Sequence, residues 1–198
     1  MALASSDGAV YEEIVDPSAK GETLSASLDA LISKIGATLD DVKRVMVTLG
    51  PGSFSGLRTG VAFCQGLCFS GKRELFGVTT LQALQCFAGK DCTSPETAVV
   101  IRARNGYWYL RQNGTESFVD TATVVDVMRA GKPMAVVADT AAQEDETLKA
   151  LFAEITAAVT GDTGKPLSMW APLFETVKPS LIQEANYIQP SYFEKLNA

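Results

Sequence analysis

The chain has 198 residues, 46% of them hydrophobic and 20% charged, a balance that supports one large or two small globular domains and argues against disorder. Seventeen basic residues against 23 acidic ones leave a net charge of −6, so the chain offers no basic footprint for tight nucleic-acid binding of its own. It contains no histidine, which excludes a Ser-His-Asp triad, a Cys-His dyad and an HExxH zinc protease built within this chain.

The chain opens with a predicted hairpin. Met1–Ala4 and Ala9–Val15 flank Ser5-Ser6-Asp7-Gly8, and Asp-Gly is a hairpin-turn signal. No basic stretch precedes the first apolar residues and no apolar run reaches membrane-spanning length, so neither a leader nor a membrane helix is expected. Leu24, Leu28, Leu31, Ile32 and Ile35 share one face of a helix predicted over about residues 22–35, with Ser25, Ala26, Asp29, Ala30 and Ser33 opposite. Thr38 to Asp41 has the form of a capping box, and Arg44–Leu49 reads as a buried strand. A glycine-rich turn follows, Gly50-Pro51-Gly52-Ser53-Phe54-Ser55-Gly56-Leu57-Arg58, and opens a helix over about 55–70.

A strand-to-helix glycine turn can cradle phosphate on backbone N–H groups, which makes Gly50, Gly52 and Ser53 candidate cofactor contacts. The spacing fits neither standard fingerprint. Five residues separate Gly50 from Gly56 and Leu57-Arg58-Thr59 replaces the Walker Lys-Ser/Thr pair, while Gly50, Gly52 and Gly56 give G-x-G-x-x-x-G. The helix beyond is apolar on nearly every side, with Gly56, Gly60, Cys64 and Cys68 in an i+4 row and Ala62, Phe63, Gly66 and Phe69 opposite. Such a helix requires cover on two faces. One is its own sheet; the other is either the helix over 22–35 or another subunit. Arg58 either anchors the turn on carbonyls or pairs with an acid across that interface.

Leu75–Thr79 reads as a strand and Thr80 as the cap of a helix through Phe87. The polar stretch 90–97 divides two lobes, 1–90 and 91–198, with the last segment free to return to the first lobe. Beyond it, strands at 98–103, 107–112 and 115–119 are punctuated by Asn105-Gly106 and Asn113-Gly114, an antiparallel meander. Helices over 123–130 and 143–154 surround a strand at 134–138, and the proline-bearing tail is left unassigned. The four cysteines are expected as reduced thiols.

The run Val47-Thr48-Leu49-Gly50-Pro51-Gly52-Ser53-Phe54-Ser55-Gly56-Leu57-Arg58-Thr59-Gly60-Val61-Ala62 resembles the signature of the TsaB family. Gly77-Val78-Thr79-Thr80-Leu81, the segment 103–109 and the tail Pro190-Ser191-Tyr192-Phe193 are similar to that family's later motifs. The resemblance implies an α/β, actin-like/RNase H-like fold of the sugar-kinase and Hsp70 type, with two lobes of mixed sheet and flanking helices. It implies a cytoplasmic, non-catalytic subunit of the machinery that makes threonylcarbamoyl-adenosine beside the tRNA anticodon. Its partners would be the catalytic paralogue TsaD, docked through the first two helices, and the ATPase TsaE, with tRNA met only through the complex. Homodimerisation of the lone chain stays open. On this basis Ala26, Ala30, Gly56, Arg58, Gly60, Phe63 and Cys64 are the interface candidates, no metal and no cofactor are expected on the chain alone, and ATP enters at the level of the complex. The rival reading is an ATP-binding enzyme of the same superfamily. Three departures stand out. The family's opening strand, ending in Asp-Thr-Ser, is absent before the hairpin; Arg102 stands where the family usually has an acid; and the first helix lacks a histidine.

Overall fold

The computed structural model describes residues 1–4, 9–13, 21–89, 91–104 and 106–188. The expected turn at 5–8, Asn105 and the Pro190–Phe193 tail lie outside the described residues. The chain divides into two compact units, residues 1–79 with 166–186, and residues 80–165 with 187 onward.

In the first unit, β1 (Ala2–Ala4) pairs antiparallel with β2 (Val10–Glu12), and Leu3 lies opposite Tyr11. The helix α1 (Leu24–Lys34) buries Ser27, Leu31 and Ile32. Thr38 and Asp41 form the reciprocal capping box: the Asp41 carboxylate accepts from the Thr38 amide at 2.8 Å and from its hydroxyl at 2.7 Å. A strand β3 (Arg44–Thr48) pairs in parallel with β4 (Glu74–Val78) through the crossover helix α2 (Phe54–Cys68). Val47, Val61, Cys68 and Leu75 make the core between sheet and helix. The pairs β1–β2 and β3–β4 are separate two-stranded sheets. The return segment contributes a 3-10 helix, Leu167–Glu175, whose Phe174 ring meets Phe76 edge-on at 5.0 Å while Arg44 lies over it at 4.6 Å.

The second unit is a five-stranded sheet in the order β7-β6-β5-β8-β9. The strands β5 (Thr97–Arg102), β6 (Tyr107–Gln112) and β7 (Thr115–Asp120) form the meander, and Asn113 and Gly114 (φ 50° and 77°) give the left-handed turn that Asn-Gly favours. Parallel to β5 run β8 (Ala135–Ala138) and β9 (Ala158–Gly161). One face packs Ala98, Val100, Trp108 and Leu110 against Val124, Met128, Leu148, Leu151 and Phe152 of the helices α4 (Thr121–Gly131) and α6 (Glu146–Glu154). Covering the other face, α3 (Thr80–Gln85) buries Leu81, Ala83 and Leu84. Because α3 packs on β5 and β6, the division falls at Thr79 and not in the polar stretch 90–97. A strand covered on both faces reads as a continuous apolar run, as Ala98-Val99-Val100 does.

Two sequence expectations change here. The helix expected over 143–154 is two helices, α5 (Thr140–Glu144) and α6, because Asp145 leaves helical geometry and accepts from the Thr147 and Leu148 amides at 3.0 Å each. A cap of this kind stabilises by about 1 kcal/mol, so Asp145→Ala is expected to lower urea-unfolding stability by that amount. Of the four cysteines expected as free thiols, Cys86 and Cys92 are joined in a disulfide and only Cys64 and Cys68 are free. Both bonded residues are buried and separated by six positions, with Cα atoms 4.1 Å apart.

Candidate docking surface and the glycine turn

The helix α2 sits on β3 and β4 by Leu57, Val61, Cys64 and Cys68, positions that recur on one side at helical spacing. Ser53 caps it weakly: the Gly56 amide donates to the Ser53 hydroxyl at 3.5 Å, while the Leu57 amide donates to the Ser53 carbonyl at 2.9 Å. The side away from the sheet carries Ser55, Ala62 and Gly66, all exposed, with the half-buried Phe63 and Gly60 on its flank. A Cβ built on Gly60 or Gly66 meets nothing within 4 Å. Exposed aromatic rings stand at both ends of this face, Phe54 at 59% and Phe69 at 80% exposure. On α1 the small face is open as well: Ser25, Ala26, Asp29, Ala30 and Ser33 are all exposed. The two small-residue faces are therefore not buried on each other, and the internal-packing reading of that stripe does not hold.

The structure redistributes the interface candidates. Ala26, Ala30, Gly56, Gly60 and Phe63 remain on open or half-open surface. Arg58 lies on the opposite flank of α2, its guanidinium 5.2 Å from the centre of the Phe54 ring, and no turn carbonyl accepts from it among the described residues. Cys64 points inward, packed with Leu67 against the β3–β4 core. Each i+4 step turns the helix by about 40°, so two steps from Gly56 carry Cys64 roughly 80° round, onto the sheet side. Burial pushes the Cys64 thiol up from 9.0 to about 12, with the neighbouring Cys68 adding to the rise. The sign is that of an acid held neutral: the folded state is favoured below the unfolded value and loses that advantage as the pH climbs from 9 towards 12. At pH 8 the Cys64 thiolate is scarcer than in the unfolded chain by about a thousandfold, so thiol labelling of native Cys64 is expected to lag that of the urea-unfolded protein to a similar degree.

The phosphate candidates meet a different neighbour. Gly50 has φ +116°, and a Cβ there would overlap the Asn186 carbonyl oxygen and sit 2.9 Å from a Leu57 methyl. The Asn186 amide donates to the Leu49 carbonyl at 2.7 Å, and the Ser180 amide to the Leu75 carbonyl at 2.8 Å. Gly77, in β4, would clash in the same way with the Gln183 side chain. From α2, Gln65 Nε2 donates to the carbonyls of Leu181 and Gln183 at 3.2 and 3.3 Å. A phosphate at Gly50 would thus face a carbonyl oxygen where it needs N–H donors, and Ser53 is already used as a cap. The surroundings of Gly50 do not fit a phosphate. Sequence reasoning missed Gln65, Gln183 and Asn186 here. Among the described residues, no three His, Cys, Asp or Glu side chains converge as metal ligands, and no helix is long and apolar enough to cross a membrane.

A parallel β–α–β crossover beside a hairpin, and a second unit with a meander continuing into parallel strands, define a two-unit α/β protein. A Pseudomonas aeruginosa protein of known structure, described as similar to the peptidase YeaZ, shares this fold with a TM-score of 0.66 at 19% identity, over 95% of this chain and 93% of that one. The family described as "TsaD: tRNA N6-adenosine threonylcarbamoyltransferase" matches residues 18–160, and the chain belongs to it. Curated relatives named TsaB are among those it is similar to. The tRNA threonylcarbamoyladenosine biosynthesis protein TsaB of Buchnera aphidicola is 33% identical over 103 residues, covering 46% of this chain and 49% of its own length. That of Escherichia coli is 31% identical over 80 residues, covering 39% of this chain and 35% of its own length. The chain thus spans about half, or less, of the length of these curated relatives.

Proposed function

We propose that this chain is a cytoplasmic scaffold subunit of the machinery that installs threonylcarbamoyl-adenosine in tRNA, and that it acts by docking a catalytic paralogue of the threonylcarbamoyltransferase type. The observation that carries the reading is the open small-residue surface of α1 and α2, with Ala26, Ala30, Gly60, Ala62 and Gly66 exposed or half-exposed and aromatic rings at either end. Small residues let a partner helix approach to the short interaxial distances of about 8–10 Å, and exposed rings supply apolar anchors at the edge of such a contact. The curated relatives are named for the same modification, which supports the pathway. A non-catalytic role agrees with the absence of histidine and with a glycine turn where Gly50 faces a carbonyl oxygen. ATP and tRNA are then met by the assembled complex, with a TsaE-type ATPase as third member, and the face left open in the lone chain permits self-association.

The test is reconstitution. Threonylcarbamoyl-adenosine formation on tRNA is measured with the source cell's own threonylcarbamoyltransferase and ATPase, with and without this chain. The reading expects the product to depend on the chain and equal product from both mixtures would refute it.

A further inference from the structure

The segment 180–186 runs beside β4 in the first unit, from Leu75 near the amino end of that strand to Leu49, just beyond the carboxyl end of β3. Its backbone ties at both ends, Ser180 to the Leu75 carbonyl and Asn186 to the Leu49 carbonyl. Between these, Gln65 of α2 donates to two of its carbonyls, and Gln183 donates back to the Ser180 carbonyl at 2.9 Å. The two glycines beneath it, Gly50 and Gly77, have no room for a side chain because the Asn186 carbonyl and the Gln183 amide fill the space. The carboxyl end of a parallel β–α–β unit is where α/β proteins take ligands, and here Asn186 sits against the residues that follow β3, Leu49 and Gly50.

We propose that residues 180–186 form an internal strap whose Asn186 end occupies the Gly50 side of the turn in place of a ligand, fixing the turn from which α2 starts and closing it to phosphate. Gln65 is a positioning residue in this arrangement: its amide donates to two strap carbonyls, so its removal loosens the strap without altering the turn's own sequence. Gly50 of the turn and Gly77 of β4 both answer to the strap and not to a nucleotide. The inference stands apart from the docking assignment, since it concerns only contacts inside the first unit.

Amide hydrogen exchange on the full chain tests it in two arms. In the first, wild type is compared with Gln65→Ala, which loses two hydrogen bonds while improving helix propensity. Exchange at the Ser180 and Asn186 amides is expected to rise about tenfold, and that of Gly56 and Leu57 at the turn to rise with it. Gln183→Ala, which empties the space over Gly77, is a second variant with the same expected outcome. In the second arm, millimolar inorganic pyrophosphate is added to wild type, and exchange over 50–58 is expected to stay unchanged. Faster strap exchange with unaltered turn amides, no change in either segment, or protection of residues 50–58 by pyrophosphate would each overturn the proposal.

Discussion

Gly60→Trp is expected to leave the lone chain folded and to weaken its proposed pairing with a catalytic paralogue by at least about a hundredfold, roughly 3 kcal/mol. The position is in the middle of α2, half-buried, and a Cβ there meets nothing within 4 Å, so the new side chain has space in the free protein. Replacing a helix-interior glycine also removes a propensity penalty of about 0.5 kcal/mol, which opposes any loss of stability. In the complex the same indole would stand between helices that approach through glycine and alanine, and an interface of that kind has no cavity to receive it. The matched control is Lys149→Trp on α6, an exposed position in the other unit, which is expected to leave affinity unchanged. Isothermal titration of both variants against the paralogue separates a loss of the docking face from a general effect of an added tryptophan.

Gly50→Val should act in the opposite sense, destabilising the fold itself. The left-handed φ of +116° strains any β-branched residue, and the new Cβ would overlap the Asn186 carbonyl and crowd Leu57. Strain and overpacking of about 1–3 kcal/mol each give a combined loss of roughly 4 kcal/mol. The chain has two tryptophans, and they report on different units: Trp170 belongs to the first and Trp108 to the second. In a Trp108→Phe background, the urea midpoint of Trp170 fluorescence is expected to fall by about 2 M at an m-value near 2 kcal/mol/M. An unchanged midpoint would mean that the turn does not need a glycine at this position.

What could be read in advance was local. The capping box at Thr38 and Asp41, the β3–turn–α2 passage and the Asn113-Gly114 turn all rest on bonds within a few residues, and periodicity or turn chemistry shows them. The interruption at Asp145 was hidden because the apolar spacing of 143–154 suits one helix, and only the cap bonds reveal two. The strand β9 was invisible because Ala158-Val159-Thr160-Gly161 is short, small and part-exposed, without the alternation of a half-buried strand. An i+4 row joins Cys64 to Gly56 and Gly60 in the sequence, but the helix's rotation over two steps turns Cys64 to the sheet. The strap has no periodic signal at all. Its partners are carbonyls and glycines more than a hundred residues away for Gln65 and Asn186, and a glycine in a sequence does not say what occupies the space it leaves.

The seven interface candidates show the same divide. Those chosen for smallness, Ala26, Ala30, Gly56 and Gly60, sit on open or half-open surface, because a small residue on the outer face of a helix does nothing for the core. Arg58, chosen for charge, is spent on the Phe54 ring beside it. The exposed rings Phe54 and Phe69, at the two ends of α2, add what was missing from that list, apolar area large enough to anchor a partner.

The docking claim meets its most direct test in sedimentation of the purified chain mixed with the source cell's own threonylcarbamoyltransferase, each run alone as a control. A single species of one chain each, lost with Gly60→Trp and kept with Lys149→Trp, is the predicted result. Two species sedimenting independently at micromolar concentration, or a complex that Gly60→Trp leaves intact, would contradict it.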